Sequence, residues 1–298
     1  MRTVFLGTSS FAVAVLRRLV ASPHAPTLVV TRPDRPRGRG RRLGSPPVAG
    51  VAQELGLELL QPETVNDEAA RDRIAAAGPE VVCVCAFGAL IKEPLLSQHL
   101  MLNVHPSLLP RWRGAAPIER AIMAGDAETG VSIMRVTAGL DSGPVCLQGS
   151  EPVRPDDTFG SLAPRLEALG GELLIEALDT LPPFTEQDDA AATYADKIGP
   201  EDRALDPARP ASEVERTVRA LHPHIGARIA LPNGEWLGVH AAALAEGDGP
   251  PPGELKATNG RLLYGCADGA LELLQVQPPG GRVMDGASYL RGHRVPAS

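Results

Sequence analysis

The sequence lacks the features that mark membrane, secreted and metal-binding proteins. No apolar run approaches about 18 residues, so no transmembrane helix is expected, and the apolar part of MRTVFLGTSS is too short for a signal peptide. The four cysteines show no C-x-x-C spacing, and there is neither an H-E-x-x-H motif nor a Cys/His pair with ligand spacing. We therefore expect a reduced, cytoplasmic protein that holds no metal ion and binds no membrane.

Two motifs of common enzyme classes are also missing. The first strand–helix junction reads GTSSF from Gly7 to Phe11 and lacks G-x-G-x-x-G, so a nicotinamide dinucleotide is not expected, although a dehydrogenase stays open. Ser107 has no G-x-S-x-G elbow around it and is a weak candidate for a nucleophile. These absences favour a reaction in which the substrate supplies the nucleophile.

The chain of 298 residues has room for one large domain and one smaller domain. In the first half, short β-branched runs alternate with helical patterns, which indicates a mostly parallel sheet. Thr158–Leu181 has helical periodicity, although Pro164 and the pair Gly170-Gly171 argue against one straight helix. After a helix at Ala211–Leu221, short strands separated by turns suggest a β-barrel. We predict domains over residues 1–186 and 207–298, joined by a connector over 187–206.

Charge is unevenly distributed along a chain whose net charge is −7. Residues 1–42 carry nine arginines and one acid, residues 43–202 carry ten basic and 25 acidic residues, and residues 203–298 carry ten of each. Six arginines lie between Thr31 and Arg42, against the single Asp34. A polyanion responds to the local field of such a patch more than to the net charge. The composition alone fits either a nucleic-acid contact or a solvated loop.

Asn103, His105 and Asp141 form the strongest candidate for a catalytic site. Asn103 and His105 are two residues apart in an extended segment, so their side chains face the same side of a sheet. Asp141 lies between two glycines, in a turn from which its carboxylate could reach the imidazole. An amide and an imidazole suit acyl transfer to an amine, because they stabilise an oxyanion and move protons, while the carboxylate orients the imidazole. The spacing equally allows structural roles at a strand end and in a turn.

Four longer runs resemble the methionyl-tRNA formyltransferase family. They are Asn103–Ile118 (NVHPSLLPRWRGAAPI), Gly125–Val131 (GDAETGV), Gly139–Gly143 (GLDSG) and the arginine-rich Arg32–Leu43 (RPDRPRGRGRRL). The resemblance covers most of residues 3–200 and is weaker beyond them. It departs from the family pattern at Ser9, where Pro is usual, and after Ala204, where the usual tryptophan is missing.

The resemblance implies a fold, a reaction and a set of residues. The fold is a Rossmann-like formyltransferase domain of α/β class followed by a C-terminal OB-like β-barrel. The reaction transfers a formyl group from 10-formyltetrahydrofolate to the amino group of methionine esterified to initiator tRNA, for translation initiation. The implied catalytic residues are Asn103, His105 and Asp141; the folate-binding residues are Phe87, Gly88, Leu90, Ser107, Leu108, Leu109 and Pro110; and the tRNA-binding residues are Arg35, Arg37, Arg39, Arg41 and Arg42, with Arg39 as the key arginine.

Besides the dehydrogenase, three other functions stay open at this point. We expect the protein to be a monomer. A sugar-nucleotide N-formyltransferase shares the Asn/His/Asp set and the Ser-Leu-Leu-Pro run, but the arginine loop and the string Trp112–Pro117 favour the tRNA enzyme. A glycinamide ribonucleotide formyltransferase would need neither the basic loop nor a second domain. A non-catalytic RNA-binding module is disfavoured because the catalytic triplet is intact.

Overall fold

The computed structural model describes residues 1–37, 42–293 and 295, and for Arg37 and Arg42 it describes the backbone alone. The chain falls into two compact units. The first unit comprises residues 1–114, 129–152 and 163–194, and the second comprises residues 115–128, 153–162 and 195–298. The domain boundaries predicted at residues 186 and 206 stay a prediction. Within the described part of the chain, no helix combines the length and the apolar composition that crossing a membrane requires.

The described residues contain seventeen strands and eight α-helices. The strands are β1 Thr3–Gly7, β2 Pro26–Val30, β3 Arg35–Arg37, β4 Arg42–Gly44, β5 Leu59–Leu60, β6 Val81–Cys85, β7 Met101–His105, β8 Arg113–Gly114, β9 Glu128–Arg135, β10 Val145–Pro152, β11 Tyr194–Ala195, β12 Ala227–Ala230, β13 Trp236–Leu244, β14 Leu255–Thr258, β15 Arg261–Cys266, β16 Gly269–Gln277 and β17 Met284–Asp285. The helices are α1 Ser10–Val20, α2 Pro47–Glu54, α3 Glu68–Ala76, α4 Leu95–Gln98, α5 Pro117–Ala124, α6 Phe159–Thr180, α7 Ala211–Leu221 and α8 Gly286–Gly292.

A seven-stranded sheet forms the centre of the first unit, in the order β10-β9-β7-β6-β1-β2-β5. Neighbours from β5 to β7 run parallel, and β9 is antiparallel to β7. Strands β1 and β6 are buried along their whole length, as expected of parallel strands covered on both faces. The predicted Rossmann-like fold with a mostly parallel sheet is therefore confirmed. The chain moves outward from β1 to β2 on one side and later to β6 on the other, which makes the β1–β6 pair a topological switch point.

Helix α6 runs without interruption from Phe159 to Thr180, through Pro164 and the glycine pair. Pro164 cannot donate the backbone hydrogen bond of an α-helix. It lies only five positions after the first residue of α6, so the missing bond lies near the N-terminal end of the helix. Gly170 is needed for close packing, because a Cβ there would lie 2.8 Å from Cγ1 of Val104 on β7. Gly170 therefore lets the helix approach the strand that carries Asn103 and His105.

The second unit contains a six-stranded antiparallel sheet with the order β12-β13-β16-β15-β14, and β17 pairs with β16. Its core combines Val214 and Val218 from α7 with strand residues that include Ile229, Leu237 and Leu271. Among the described residues the strand order is an open path, as in the partly open barrel of OB type. The strand-rich C-terminal domain expected from the sequence is confirmed.

Strand β10, the hairpin of β3 and β4, and helix α8 are among the elements that were not expected from the sequence. Strand β10 extends the main sheet at its edge, although its residues VCLQGSEP include Gly, Ser and Pro. Strands β3 and β4 form a hairpin inside the arginine-rich segment. Helix α8 begins after Asp285, whose carboxylate accepts a hydrogen bond from the Ser288 N–H at 2.7 Å. In the first two cases strand pairing, rather than local propensity, defines the element.

Candidate active site

The candidate site lies where the parallel strands of the first unit end at their carboxyl edge. Gly7, at the end of β1, is in register with Cys85, at the end of β6. Just beyond these strands, the Thr8 hydroxyl donates a 2.7 Å hydrogen bond to the Phe87 carbonyl, which links the two loops at the switch point. Open α/β sheets bind their ligands in the crevice at such a point.

Strand β7 brings Asn103 and His105 to the same edge. Asn103 pairs in register with Val84 of β6 and Met134 of β9, and His105 is the last residue of β7. The two side chains share one face because they are two residues apart in the strand. Asn103 is half-buried, while only 3% of His105 is exposed.

The buried imidazole of His105 has two oxygen neighbours. Its Nδ1 atom lies 3.6 Å from Oδ2 of Asp141, and its Nε2 atom lies 2.9 Å from the carbonyl oxygen of Trp112. The structure thus brings His105 and Asp141 together, although they are far apart in the sequence. This is the contact that the proposed triplet requires.

Asp141 is held in its turn by the backbone around it. Its Oδ2 atom accepts a 2.9 Å hydrogen bond from the Gly114 N–H, and its own φ of 44° lies in the left-handed region. Gly143 allows the turn to close, because a Cβ at that position would lie 2.0 Å from the Arg135 carbonyl oxygen. The glycines that flank the aspartate in the sequence therefore have the role in the turn that their spacing predicted.

The segment 107–110, predicted to bind folate, is fixed by internal hydrogen bonds. Ser107 is fully buried, and its hydroxyl donates to the Arg111 carbonyl at 2.6 Å. The Ser132 hydroxyl donates to the Ser107 carbonyl at 2.6 Å and accepts from the Leu109 N–H at 3.0 Å. The Ser107 hydroxyl is therefore bonded to a backbone carbonyl rather than to a general base, which agrees with the missing elbow motif.

The segment 87–90, also predicted to bind folate, follows β6. The Phe87 side chain is 5% exposed and packs in the core. Only the backbone of this residue is therefore available at the carboxyl edge of the sheet. Gly88 has a φ of 71°, which favours glycine, and Leu90 is 65% exposed. The Leu90 carbonyl accepts a 2.8 Å hydrogen bond from the Asn66 side chain.

Cys85, at the end of β6, is the thiol nearest this edge along its strand. Burial is the main cause that raises the pKa of the Cys85 thiol far above its ordinary value, and the Glu167 carboxylate raises it further. Burial likewise raises the pKa of Cys83 to about 12. Since the thiolate is the nucleophilic form, neither thiol is suited to covalent catalysis at neutral pH.

The base of the arginine-rich hairpin is anchored to the first unit. Asp34 accepts hydrogen bonds from the Ser45 hydroxyl and the Gln61 amide, both at 2.9 Å. Arg35 is exposed and forms an ion pair with Glu63. Arg39 and Arg41 lie outside the described residues, as do the side chains of Arg37 and Arg42.

Several groups that form this site were not predicted from the sequence. The Trp112 carbonyl and the Gly114 N–H are backbone groups, and no side-chain pattern signals where such groups will lie. Ser132, on β9, organises segment 107–110 through its hydroxyl. Its only signal is a polar residue at a fully buried position of a strand, which is recognised once the strand's burial is known.

Two family models match the chain. The model described as formyl transferase matches residues 1–178, and the model described as formyl transferase, C-terminal domain, matches residues 197–294. Together these models cover most of the chain. They match the α/β half and the strand-rich half separately.

Curated relatives match over almost the whole length. The methionyl-tRNA formyltransferase of Ectopseudomonas mendocina (strain ymp) is 44% identical over 288 residues, which are 95% of this chain and 91% of that protein. The methionyl-tRNA formyltransferase of Methylococcus capsulatus (strain ATCC 33009 / NCIMB 11132 / Bath) is 43% identical over 302 residues, 99% of this chain and 98% of that protein.

Solved structures share the fold at low sequence identity. HypX from Aquifex aeolicus, in complex with tetrahydrofolic acid, has a TM-score of 0.65 and 18% identity over all of this chain, which spans about half (49%) of that protein. WlaRD, a sugar 3N-formyl transferase, has a TM-score of 0.66 and 15% identity, covering 92% of this chain and 97% of its own. The methionyl-tRNA formyltransferase from Clostridium thermocellum has a TM-score of 0.58 and 15% identity, covering 83% and 95%.

Proposed function

The chain belongs to the formyl transferase family, among the methionyl-tRNA formyltransferases, and from this premise we propose the reaction it catalyses. The enzyme transfers the formyl group of 10-formyltetrahydrofolate to the amino group of methionine esterified to initiator tRNA. The product is N-formylmethionyl-tRNA, which is used in translation initiation. The observation that carries this proposal is the contact between His105 and Asp141. His105 lies two residues after Asn103 on β7.

The reaction forms one C–N bond and breaks another. The lone pair of the methionine nitrogen attacks the formyl carbon and gives a tetrahedral carbon that bears an oxyanion. The bond from this carbon to the folate nitrogen then breaks, and its electron pair leaves on that nitrogen. One proton is lost by the attacking nitrogen and one is gained by the departing nitrogen, so no external oxidant, reductant or metal is needed for balance.

Asn103 and His105 divide the work of this reaction. We assign to the Asn103 amide a hydrogen bond to the oxyanion; losing one such donor typically costs about 10²–10³ in rate. We assign to His105 the movement of a proton between the two nitrogens. General acid–base catalysis of this kind typically raises the rate by about 10²–10⁴-fold. We assign to Asp141 the orientation of the imidazole, because its carboxylate lies 3.6 Å from Nδ1.

The residues proposed for folate suit a flat, polar ring system. Gly88, Leu90 and the segment 107–110 border the carboxyl ends of β6 and β7, where the fold provides its crevice. Segment 107–110 is rigid because Ser132 bonds to it twice. Backbone groups and apolar side chains on a rigid edge are the usual lining of a pocket for such a ligand.

We propose that the hairpin of β3 and β4 binds the acceptor stem through Arg35, Arg37, Arg39, Arg41 and Arg42, with Arg39 as its key residue. Guanidinium groups address phosphates and base edges in bidentate fashion. The local excess of arginine supports this role even though the whole chain is acidic. The anchoring of Asp34 by Ser45 and Gln61 supports it too, because a fixed base limits the conformations that the hairpin loses on binding.

We further propose a cytoplasmic monomer that binds no membrane. The free thiols of Cys83 and Cys85 are buried, which suits a reducing compartment. Transfer to an amino-sugar nucleotide is the second candidate, since a sugar formyl transferase has a similar fold. At 15% identity that likeness reports the fold alone, whereas the relatives at 43–44% identity are tRNA enzymes.

One assay separates the two substrates. The protein is incubated with 10-formyltetrahydrofolate and one of three acceptors: charged initiator tRNA, charged elongator tRNA or an amino-sugar nucleotide. We expect formyl transfer to initiator methionyl-tRNA and much less transfer to the other two. Product on the amino-sugar alone would overturn the proposed acceptor and leave the formyl transfer chemistry intact.

A further inference from the structure

Gln187 bonds to two backbone carbonyls of the turn that carries Asp141. Its Nε2 atom donates hydrogen bonds to the carbonyl of Asp141 at 2.8 Å and to the carbonyl of Gly143 at 2.7 Å. One side-chain amide therefore ties together the two carbonyls that flank the turn. The residue lies in the stretch 187–206, which was predicted to be a connector between domains.

A buried arginine fixes the orientation of the Gln187 amide. Arg113 is 3% exposed, and its Nε atom donates to Oε1 of Gln187 at 3.0 Å. A second bond, from Arg113 to the exposed Asp189 at 2.7 Å, supplies the charge partner that a buried guanidinium needs. Because the guanidinium only donates, it must face the amide oxygen, which leaves the amide nitrogen to face the two carbonyls. The reversed amide would meet like groups on both sides.

Thr193 makes a comparable contact on the other side of His105. Its hydroxyl oxygen accepts a 2.9 Å hydrogen bond from the Trp112 N–H. Its backbone N–H bonds to the Pro110 carbonyl, and its carbonyl accepts from the Arg113 N–H at 2.9 Å. The Trp112 backbone has a φ of 63°, so it holds a conformation that a side chain such as tryptophan rarely adopts without support.

We infer that Gln187 and Thr193 are positioning residues for His105. Gln187 acts through Asp141, whose carboxylate faces Nδ1 of the imidazole. Thr193 acts through Trp112, whose carbonyl faces Nε2. Segment 187–193 thereby holds both oxygen neighbours of the His105 ring. This inference rests on the proposed formyl transfer and adds to it the residues that fix the geometry of proton movement.

The position of the His105 ring should affect the reaction rate because proton transfer depends steeply on geometry. His105 moves a proton well only if the ring is held at hydrogen-bond distance from the nitrogen it serves. Both oxygens that hold the ring belong to segments with a positive φ, Asp141 at 44° and Trp112 at 63°. Such segments relax toward ordinary backbone conformations when their outside bonds are removed. A shift of about 1 Å in the ring can cost about 100-fold in rate.

Paired variants test this inference by kinetics. Gln187→Leu removes the amide bonds at nearly constant size, and Gln53→Leu is the same change at an exposed position of α2. Thr193→Val removes the hydroxyl, and Thr193→Ser restores it. We expect kcat to fall about 10- to 100-fold in Gln187→Leu and Thr193→Val. KM for folate and for tRNA should change little, because the lost interaction acts on the transition state rather than on binding. Gln53→Leu and Thr193→Ser should keep near-normal kcat.

A second readout does not depend on activity. The ¹⁵N resonances of the His105 ring, assigned by comparison with His105→Gln, report which nitrogen carries a hydrogen. We expect them to shift in Gln187→Leu and Thr193→Val and to match the parent protein in the two controls. A purely structural role would lower the melting temperature and leave these resonances in place.

The outcomes separate this inference from the proposed function. If the parent protein transfers no formyl group, the proposed function fails. The resonances still test whether Gln187 and Thr193 position His105. Normal kcat in both Gln187→Leu and Thr193→Val, or unchanged His105 resonances in both, overturns the inference alone. If Gln187→Leu does not fold, the Thr193→Val and Thr193→Ser pair decides, and equal kcat and equal resonances in these two overturn it.

Discussion

The Nε2 atom of His105 lies 2.9 Å from the carbonyl oxygen of Trp112. A carbonyl can only accept a hydrogen bond, so Nε2 carries a hydrogen and the lone pair of the neutral ring is on Nδ1. Nδ1 faces the Asp141 carboxylate at 3.6 Å. The two oxygen atoms lie on opposite sides of the ring and together define the orientation of the imidazole.

We predict that Asp141→Asn lowers kcat by about 100-fold or more with little effect on stability. Asparagine tolerates the left-handed φ of 44° as aspartate does and still accepts from the Gly114 N–H, so the charge is the main thing removed. Steady-state kinetics with charged initiator tRNA measures the effect, and Asp72→Asn on the exposed face of α3 is the control. Turnover within a few-fold of the parent would remove the Asp141 charge from the mechanism.

Replacing Asn103 should test the stabilisation of the oxyanion. Asn103→Ala removes the amide donor from a half-buried position on β7, and we expect kcat to fall about 10²–10³-fold. Asn103→Asp keeps the size but offers only acceptors at neutral pH, so it should be no more active than the alanine variant. Single-turnover rates measure both. A substantially active Asn103→Asp enzyme would contradict the role of donor.

Neutralising the arginine hairpin should weaken tRNA binding selectively. We expect Arg37, Arg39, Arg41 and Arg42 together, changed to Gln, to lower tRNA affinity and to flatten its dependence on salt, because fewer phosphates are neutralised. The matched control neutralises four exposed arginines elsewhere: Arg17, Arg18, Arg73 and Arg282. Affinity measured across a salt series gives the slope, and folate binding should survive. An equal loss of folate binding would argue against the role of the hairpin.

Two glycines should respond in opposite ways to alanine. A Cβ at Gly143 would lie 2.0 Å from the Arg135 carbonyl oxygen, so Gly143→Ala should lower the free energy of unfolding and displace the Asp141 turn. A Cβ at Gly50, inside α2, has no atom within 4 Å, so Gly50→Ala should raise the free energy of unfolding by about 0.5–1 kcal/mol. Urea unfolding and kcat measure the pair. A Gly143→Ala enzyme with normal stability and turnover would show that the turn adapts.

His222 should make the stability of the protein depend on pH. Its pKa is lowered, first by burial and then by the nearby rings of His240 and His224, so the folded state favours the neutral form. The unfolded chain then binds more protons below a pH of ~6.5, and the free energy of unfolding should fall as the pH drops through this value. Urea unfolding at about pH 7 and pH 5 measures this, and His222→Gln should weaken the dependence. An unchanged pH dependence in that variant would exclude His222 as a source.

Much of the fold could be predicted because its signals are local. Helix α7 has the predicted bounds, Ala211–Leu221, because its apolar residues recur at helical spacing. Strand β6 is an uninterrupted apolar run, which is typical of a parallel strand covered on both faces. Strand β10 has no comparable signal, since an edge strand with Gly and Ser is defined by the partner it bonds to. The continuity of α6 through Pro164 also depends on packing that the sequence does not display.

The sequence by itself determined the chemical groups available to the site and the order along the chain of the strands that carry them. Asn103 and His105 share a face because a strand alternates its side chains, and Asp141 turns because glycines surround it. Only the tertiary structure decided what surrounds the imidazole. The Trp112 carbonyl contacts the ring, and the Gly114 N–H and the Gln187 side-chain amide hold Asp141 beside it. The direction of a backbone group depends on the fold around it rather than on the residue type.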